Sequence, residues 1–188
     1  RDYTLLLFLY NTGARADEAA TLLIRDLSLP KRKGLAVVTI TGKGNKTRRC
    51  PLWQHTREAL SSIIKDRAED EHVFLNRLGQ PITRFGIYEM VTRYAEKIED
   101  KIPTIKKKRV SPHTIRHTTA THLLQSGVDI NTIRAWLGHV SINTTNIYAE
   151  VNMEMKAKAL SNCEIEKKYK VKSHWRDDKK LMDFLDSL

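Results

Sequence analysis

Tyr148 stands nine residues after His139, and His139 in turn follows a histidine and an arginine spaced His-x-x-Arg, His113 and Arg116. These residue types suit one kind of chemistry. A phenolic oxygen becomes a nucleophile once it loses its proton. An imidazole, with a pKa near working pH, can accept that proton from a tyrosine whose pKa is about 10. Guanidinium groups present planar forks of donors that match the non-bridging oxygens of a phosphate. Taken singly, none of these residues says much, because a lone tyrosine is usually a packing residue and a surface His and Arg usually have no role. Their order along the chain carries the weight.

The elements that must position them can be read locally. Ser111-Pro112 is a helix start, with Ser as N-cap and Pro in the first turn. His113 and Arg116 therefore share one face near a helix N-terminus, which already favours anions. That helix is expected to run to about Ser126 and to end at Gly127. Asp129 caps the next helix, whose apolar face is Ile130, Ile133, Trp136 and Leu137. Gly138 ends it, so His139 sits in a turn. Ser141 is expected to cap a short helix carrying Tyr148. Upstream, residues 35–41 are β-branched and strand-like, Gly42-Lys43-Gly44-Asn45 is a turn, and residues 47–52 return. Lys43 is then at a hairpin tip, and a short strand near Leu27 could add a third member. Further helices are predicted over residues 3–10, 14–23, 56–68 and 85–98. The expected fold is mainly α (α+β): a helical domain with one small antiparallel β-sheet.

The chain has 188 residues, 40% of them hydrophobic, and a formal net charge of +11. It is long enough for one domain with a true core, and the surplus of positive charge points to a polyanionic partner. That charge is concentrated. Residues 31–49 hold seven cations and no acid, and no carboxylate lies between Lys101 and Val128, where Lys106, Lys107, Lys108 and Arg109 sit together. Lys46 and Arg48 beside the hairpin, and Lys106 to Arg109 ahead of His113, are candidate DNA-backbone contacts. The two cysteines, Cys50 and Cys163, give neither a disulfide framework nor a metal knuckle, and a cytoplasmic setting is the simplest expectation. No apolar run approaches the ~20 residues of a membrane span. His113 and His117 are an i, i+4 pair, but a zincin pattern needs Glu where Thr114 stands, so no metal and no other cofactor is expected. Glu18, three residues after Arg15, could orient that arginine or be an ordinary surface pair.

The run SPHTIRHTTATHLLQSGVDINTIRAWLGHVSINTTNIYAEV, residues 111–151, resembles the signature region of the tyrosine recombinases, the phage integrases and Xer-type resolvases. Asn-Thr-Gly-Ala-Arg-Ala-Asp-Glu, residues 11–18, is similar to that family's first arginine motif. Thr-Gly-Lys-Gly-Asn-Lys-Thr-Arg, residues 41–48, resembles its hairpin lysine motif. The resemblance covers about residues 3–160 and implies a catalytic set of Arg15, Lys43, His113, Arg116, His139 and Tyr148, with no expected position substituted. It implies DNA cleavage and rejoining through a covalent 3′-phosphotyrosyl intermediate. It also implies double-stranded DNA as partner, two protomers per DNA site and four in a synapse.

A mobile-element integrase is the main reading. A chromosome- or plasmid-dimer resolvase is the nearest alternative, with a type IB topoisomerase or a non-catalytic DNA-binding module further off. The expected division is a catalytic domain over residues 1–160 and a tail over 161–188. In the tail, Leu181, Phe184, Leu185 and Leu188 form a helical apolar stripe that could dock on a neighbouring protomer. Since the chain starts with Arg1, it is expected to be part of a longer protein with an N-terminal DNA-binding domain.

Overall fold

In the computed structural model, residues 1–30, 34–106 and 109–138 are described, and all of them belong to the first of the chain's two units. His139, Tyr148, Lys107, Lys108, Cys163 and the whole predicted tail helix lie outside the described residues.

The leucine-rich start of the chain is a helix, α1 (Asp2–Thr12), rather than a strand. It is not apolar all round: Leu5, Phe8 and Leu9 are fully buried, whereas Tyr3 is 68% exposed. The i, i+3, i+4 spacing of the buried three makes one stripe; the helix packs against the later helix Pro112–Gln125, and Phe8 meets Phe74 with tilted rings, centroids 5.4 Å apart. Asn11, also buried, ties the helix to the sheet. Its Nδ2 donates to the Pro51 carbonyl at 3.1 Å, and its Oδ1 accepts from the Trp53 amide at 2.9 Å. Gly13 ends α1 in the left-handed region, its N–H donating to the Leu9 carbonyl at 2.8 Å.

A short helix α2 (Ala16–Ala20) follows, half the length expected, because the chain beyond Thr21 leaves it to pair with residues 72–73: the Leu22 carbonyl accepts from the Val73 amide and Leu23 bridges His72. The sheet has three antiparallel strands in the order β1 (Leu27–Ser28), β2 (Val37–Thr41) and β3 (Thr47–Pro51). The short strand near Leu27 is thus present. Register pairs Val38 with Cys50, Ile40 with Arg48 and Thr41 with Thr47. Side chains alternate across a sheet, so Val38, Ile40, Arg48 and Cys50 share the inner face, while Thr47 and Arg49 face outward. Gly44 (φ 74) and Asn45 (φ 58) make the tight turn between β2 and β3, closed by Gly42 N–H to the Lys46 carbonyl at 2.8 Å.

The rest is helical: α3 (Gln54–Ile64), α4 (Arg84–Ile98), the unexpected short α5 (Pro103–Lys106), α6 (Pro112–Gln125) and α7 (Ile130–Leu137). The predicted caps are in place. Ser111 Oγ accepts from the Thr114 amide, and the Asp129 carboxylate accepts from the amides of Asn131 and Thr132, both at 3.0 Å. Gly127 (φ 83) follows α6 and Gly138 (φ 65) ends α7. One core joins these elements, built on Leu5, Phe8, Leu9, Val38, Ile40, Leu60, Phe74 and Ile87.

Candidate active site

Arg116 is the most deeply placed of the expected site residues. Its side chain comes off the start of the second turn of α6 into the core, where the residue is 3% exposed. Nη1 donates to the Gly13 carbonyl and Nη2 to the Leu137 carbonyl, each at 2.6 Å. Those carbonyls belong to the ends of α1 and α7. One guanidinium therefore joins the residue two places before Arg15 to the residue two places before His139. A buried guanidinium is costly unless its donors are satisfied, and two orphan helix-end carbonyls meet that need.

Arg15, His113 and Arg116 line a common pocket of roughly 270 Å³, with Tyr88, Phe85 and Arg84 from the first turn of α4 opposite them. The pocket is bounded by Ser111 and Pro112, so it opens at the N-terminus of α6, where backbone dipoles favour an anion. Motifs about 100 residues apart in sequence thus converge. Lys43 is exposed on the hairpin turn and lines an adjoining cavity of about 760 Å³ together with Arg15, Asp17 and Glu18. On the hairpin's other side a groove of about 720 Å³ is lined by Lys43, Lys46, Arg48, Arg49 and residues of α7. Lys46, Lys106 and Arg109 are exposed, and Arg109 Nε donates to the Tyr88 hydroxyl at 3.1 Å.

Glu18 is not a surface partner of Arg15. It is 6% exposed and accepts four hydrogen bonds. Arg15 gives two, from its backbone N–H to Oε2 at 2.8 Å and from Nη1 to Oε1 at 2.7 Å. Arg48 gives two more, Nη1 to Oε1 at 3.0 Å and Nη2 to Oε2 at 2.6 Å. Burial would raise the Glu18 pKa, but the hydrogen bonds and charge of Arg48 and Arg15 outweigh it and hold the carboxyl at about 2. Arg48, expected on the DNA-facing surface, is instead turned inward, its side chain only 8% exposed. The reason is register: Arg48 shares the inner face with Cys50, and the outward position belongs to Arg49, which the sequence reading passed over. The alternation back from the apolar Cys50 was the signal available.

His113 is exposed and its Nε2 lies 2.7 Å from Nε2 of His117, one turn on, with the rings edge to face. His117 titrates below its ordinary value, because of burial first and then the neighbouring positive charges of His113 and Arg116. His122 accepts or donates at Nδ1 with the Tyr10 hydroxyl at 2.5 Å, away from this pocket. Cys50 is fully buried, and burial pushes its thiol pKa up. Among the described residues no cluster of three or more His, Cys, Asp or Glu could hold a metal ion.

The helical domain with its three-stranded sheet thus brings Arg15, His113 and Arg116 to one pocket beside the start of α6. The chain matches the phage integrase family over residues 1–155 and belongs to that family. It is 35% identical over 162 residues to the tyrosine recombinase XerC of Lacticaseibacillus casei, covering 81% of this chain and 51% of that protein. It is also 35% identical over 191 residues to the putative integrase/recombinase y4rC of Sinorhizobium fredii, covering 100% of this chain and 56% of that one. The chain thus spans about half the length of the curated relatives it matches. Among solved structures, the XerH site-specific recombinase bound to its difH substrate superposes with a TM-score of 0.68 at 29% identity, over 86% of this chain and 46% of that one. The Tn1549 transposon integrase shares the fold, with a TM-score of 0.69 at 22% identity, over 86% of this chain and 58% of that one. Among the described residues no helix is long and apolar enough to cross a membrane.

Proposed function

We propose that this chain is the catalytic part of a site-specific DNA recombinase, acting by a covalent 3′-phosphotyrosyl intermediate. The observation that carries the reading is the single pocket lined by Arg15, His113 and Arg116. Family membership supplies the reaction class, and double-stranded DNA follows from both.

In this reading the Tyr148 oxygen attacks the scissile phosphorus, forming a tyrosine O–P bond while the bond from phosphorus to the 5′ oxygen breaks. His113 accepts the phenol proton, and Lys43 delivers a proton to the departing 5′ oxygen. Arg15 and Arg116 steady the charge gathering on the non-bridging oxygens, where loss of one positioned donor costs on the order of 3 kcal/mol. His139 donates to a phosphate oxygen or steadies the site. The ester retains the energy of the broken bond, so the reverse steps rejoin a strand without ATP. Lys46, Arg49, Lys106, Lys107, Lys108 and Arg109 hold the DNA backbone. Two protomers act on each site and four form the synapse, with the tail beyond residue 160 docking between protomers.

The test is incubation with a pool of nicked duplexes of randomised sequence, followed by denaturation, capture of protein-linked strands and sequencing. Wild type is expected to yield adducts on a defined sequence, and Tyr148→Phe none. An adduct that survives in Tyr148→Phe would sink the assignment. Matching the recovered sequence to an element end or to a chromosomal resolution site separates integrase from dimer resolvase.

A further inference from the structure

Arg48 donates from every nitrogen of its guanidinium group. Nη1 and Nη2 meet the two oxygens of Glu18, and Nε donates to the Trp136 carbonyl at 2.8 Å. These acceptors come from different elements. Glu18 is in α2 and also holds the backbone and side chain of Arg15. Trp136 is in the last turn of α7, and the next carbonyl along, that of Leu137, takes Arg116. Arg48 itself is the second residue of β3, two residues past Lys46, whose carbonyl closes the turn bearing Lys43.

Two glycines are fitted around this joint. A Cβ on Gly42 would lie 3.1 Å from Glu18 Oε1, and one on Gly138 would lie 3.1 Å from Arg48 Cδ and 3.2 Å from its Nη1. Side chains at either position would push the ion pair apart. The buried charges are matched donor for acceptor in a planar, two-pronged geometry that a lysine cannot reproduce.

We propose that Arg48 is a positioning residue for strand cleavage: it fixes the Lys43 hairpin to the carboxylate that holds Arg15 and to the helix end that precedes His139. This rests on the recombinase reading above. The hairpin turn is exposed and linked to the body by β2 and β3. Without the joint, its Lys43 would lose register with the pocket of Arg15, and a displacement of ~1 Å is enough to cost about 10²-fold in rate.

The experiment is single-turnover cleavage of the duplexes recovered above, made with either oxygen or sulfur bridging the scissile phosphorus and the 5′ carbon. A thiol has a pKa of about 8.5, so sulfur departs without a proton from Lys43. Arg48→Met is compared with Arg48→Met/Glu18→Gln, which removes the buried carboxylate charge that Arg15 would otherwise face alone, with Arg48→Lys, and with Lys43→Met. Thermal unfolding is run on each. A folded Arg48 variant is expected to cut the oxygen substrate about 10²-fold more slowly than wild type. Most of that loss should vanish on the sulfur substrate, as it should for Lys43→Met, and Arg48→Lys should not restore the rate. Equal losses on both substrates, or a folded variant within about threefold of wild type, overturn the positioning role. If wild type itself forms no adduct on either substrate, the recombinase reading is what fails.

Discussion

Arg116 Nη1 lies 2.6 Å from the main-chain oxygen of Gly13, a contact between residues 103 positions apart. It sets the first arginine motif against the central His-x-x-Arg pair. The same guanidinium reaches Leu137, so the side chain is a brace as well as a proposed phosphate contact.

Arg116→Lys should therefore lose on two counts. One ammonium cannot span both carbonyls, and an unpaired buried acceptor costs about 1–3 kcal/mol. Urea unfolding should show that loss. Adduct formation should fall by a further ~10²-fold or more from the missing donor. A variant of wild-type stability would contradict the bracing role.

Gly13 can be tested against Gly44, since both have left-handed backbone. A Cβ on Gly13 would fall 2.4 Å from Leu137 Cδ2, whereas one on Gly44 meets nothing within 4 Å. Gly44→Ala should cost only the backbone strain, about 1 kcal/mol. Gly13→Ala should add overpacking of about 1–3 kcal/mol. Equal losses in the two variants would show that Leu137 moves aside freely.

Glu18 makes stability acid-sensitive in a defined window. Its folded pKa of about 2 lies below the ordinary value of 4.5, so the folded state binds fewer protons than the unfolded state between these values. The stabilisation is present above 4.5 and is lost as pH falls toward 2, on the order of 3 kcal/mol in all. Denaturant unfolding of wild type and Glu18→Gln at pH 7, 5 and 3 should show their difference shrinking below pH ~4.5. A constant difference would mean that the carboxylate's charge is not what matters.

His117 is shifted in the same direction as Glu18, to a lower pKa, but by burial and like charge rather than by hydrogen bonds. Its lowered pKa means that the unfolded chain takes up protons first as pH falls through 6.5, so this residue subtracts stability on that side. Ring-proton NMR should place its midpoint below 6.5 in wild type, and nearer that value in His113→Gln. A midpoint unmoved by that substitution would show that burial and Arg116 set it, and that the 2.7 Å imidazole contact carries no charge coupling.

Much of the architecture was legible because it is local. The caps at Ser111 and Asp129, the stop at Gly138, the Gly42-to-Asn45 turn and the strand pattern up to Thr41 follow from short-range hydrogen bonding and steric rules. The short α5 escaped because Pro103 opens it within a stretch read only as basic. The Ala and Leu content of residues 14–23 suggested a longer α2, but its end is set by the distant pairing of Leu22 and Leu23 with residues 72–73.

By itself, then, the sequence determined which residue types are available, in what order, and on which faces of helices and strands. Arg15, His113 and Arg116 were marked out by the resemblance of their motifs to the tyrosine recombinases. What only the tertiary structure decided is where each cation points. Glu18 read equally well as a surface pair, and Arg48 as a DNA contact, until register and burial set them against each other. The reason is physical. A buried charge is tolerated only where its partner is placed by elements far away in the chain, and no local rule encodes that distance.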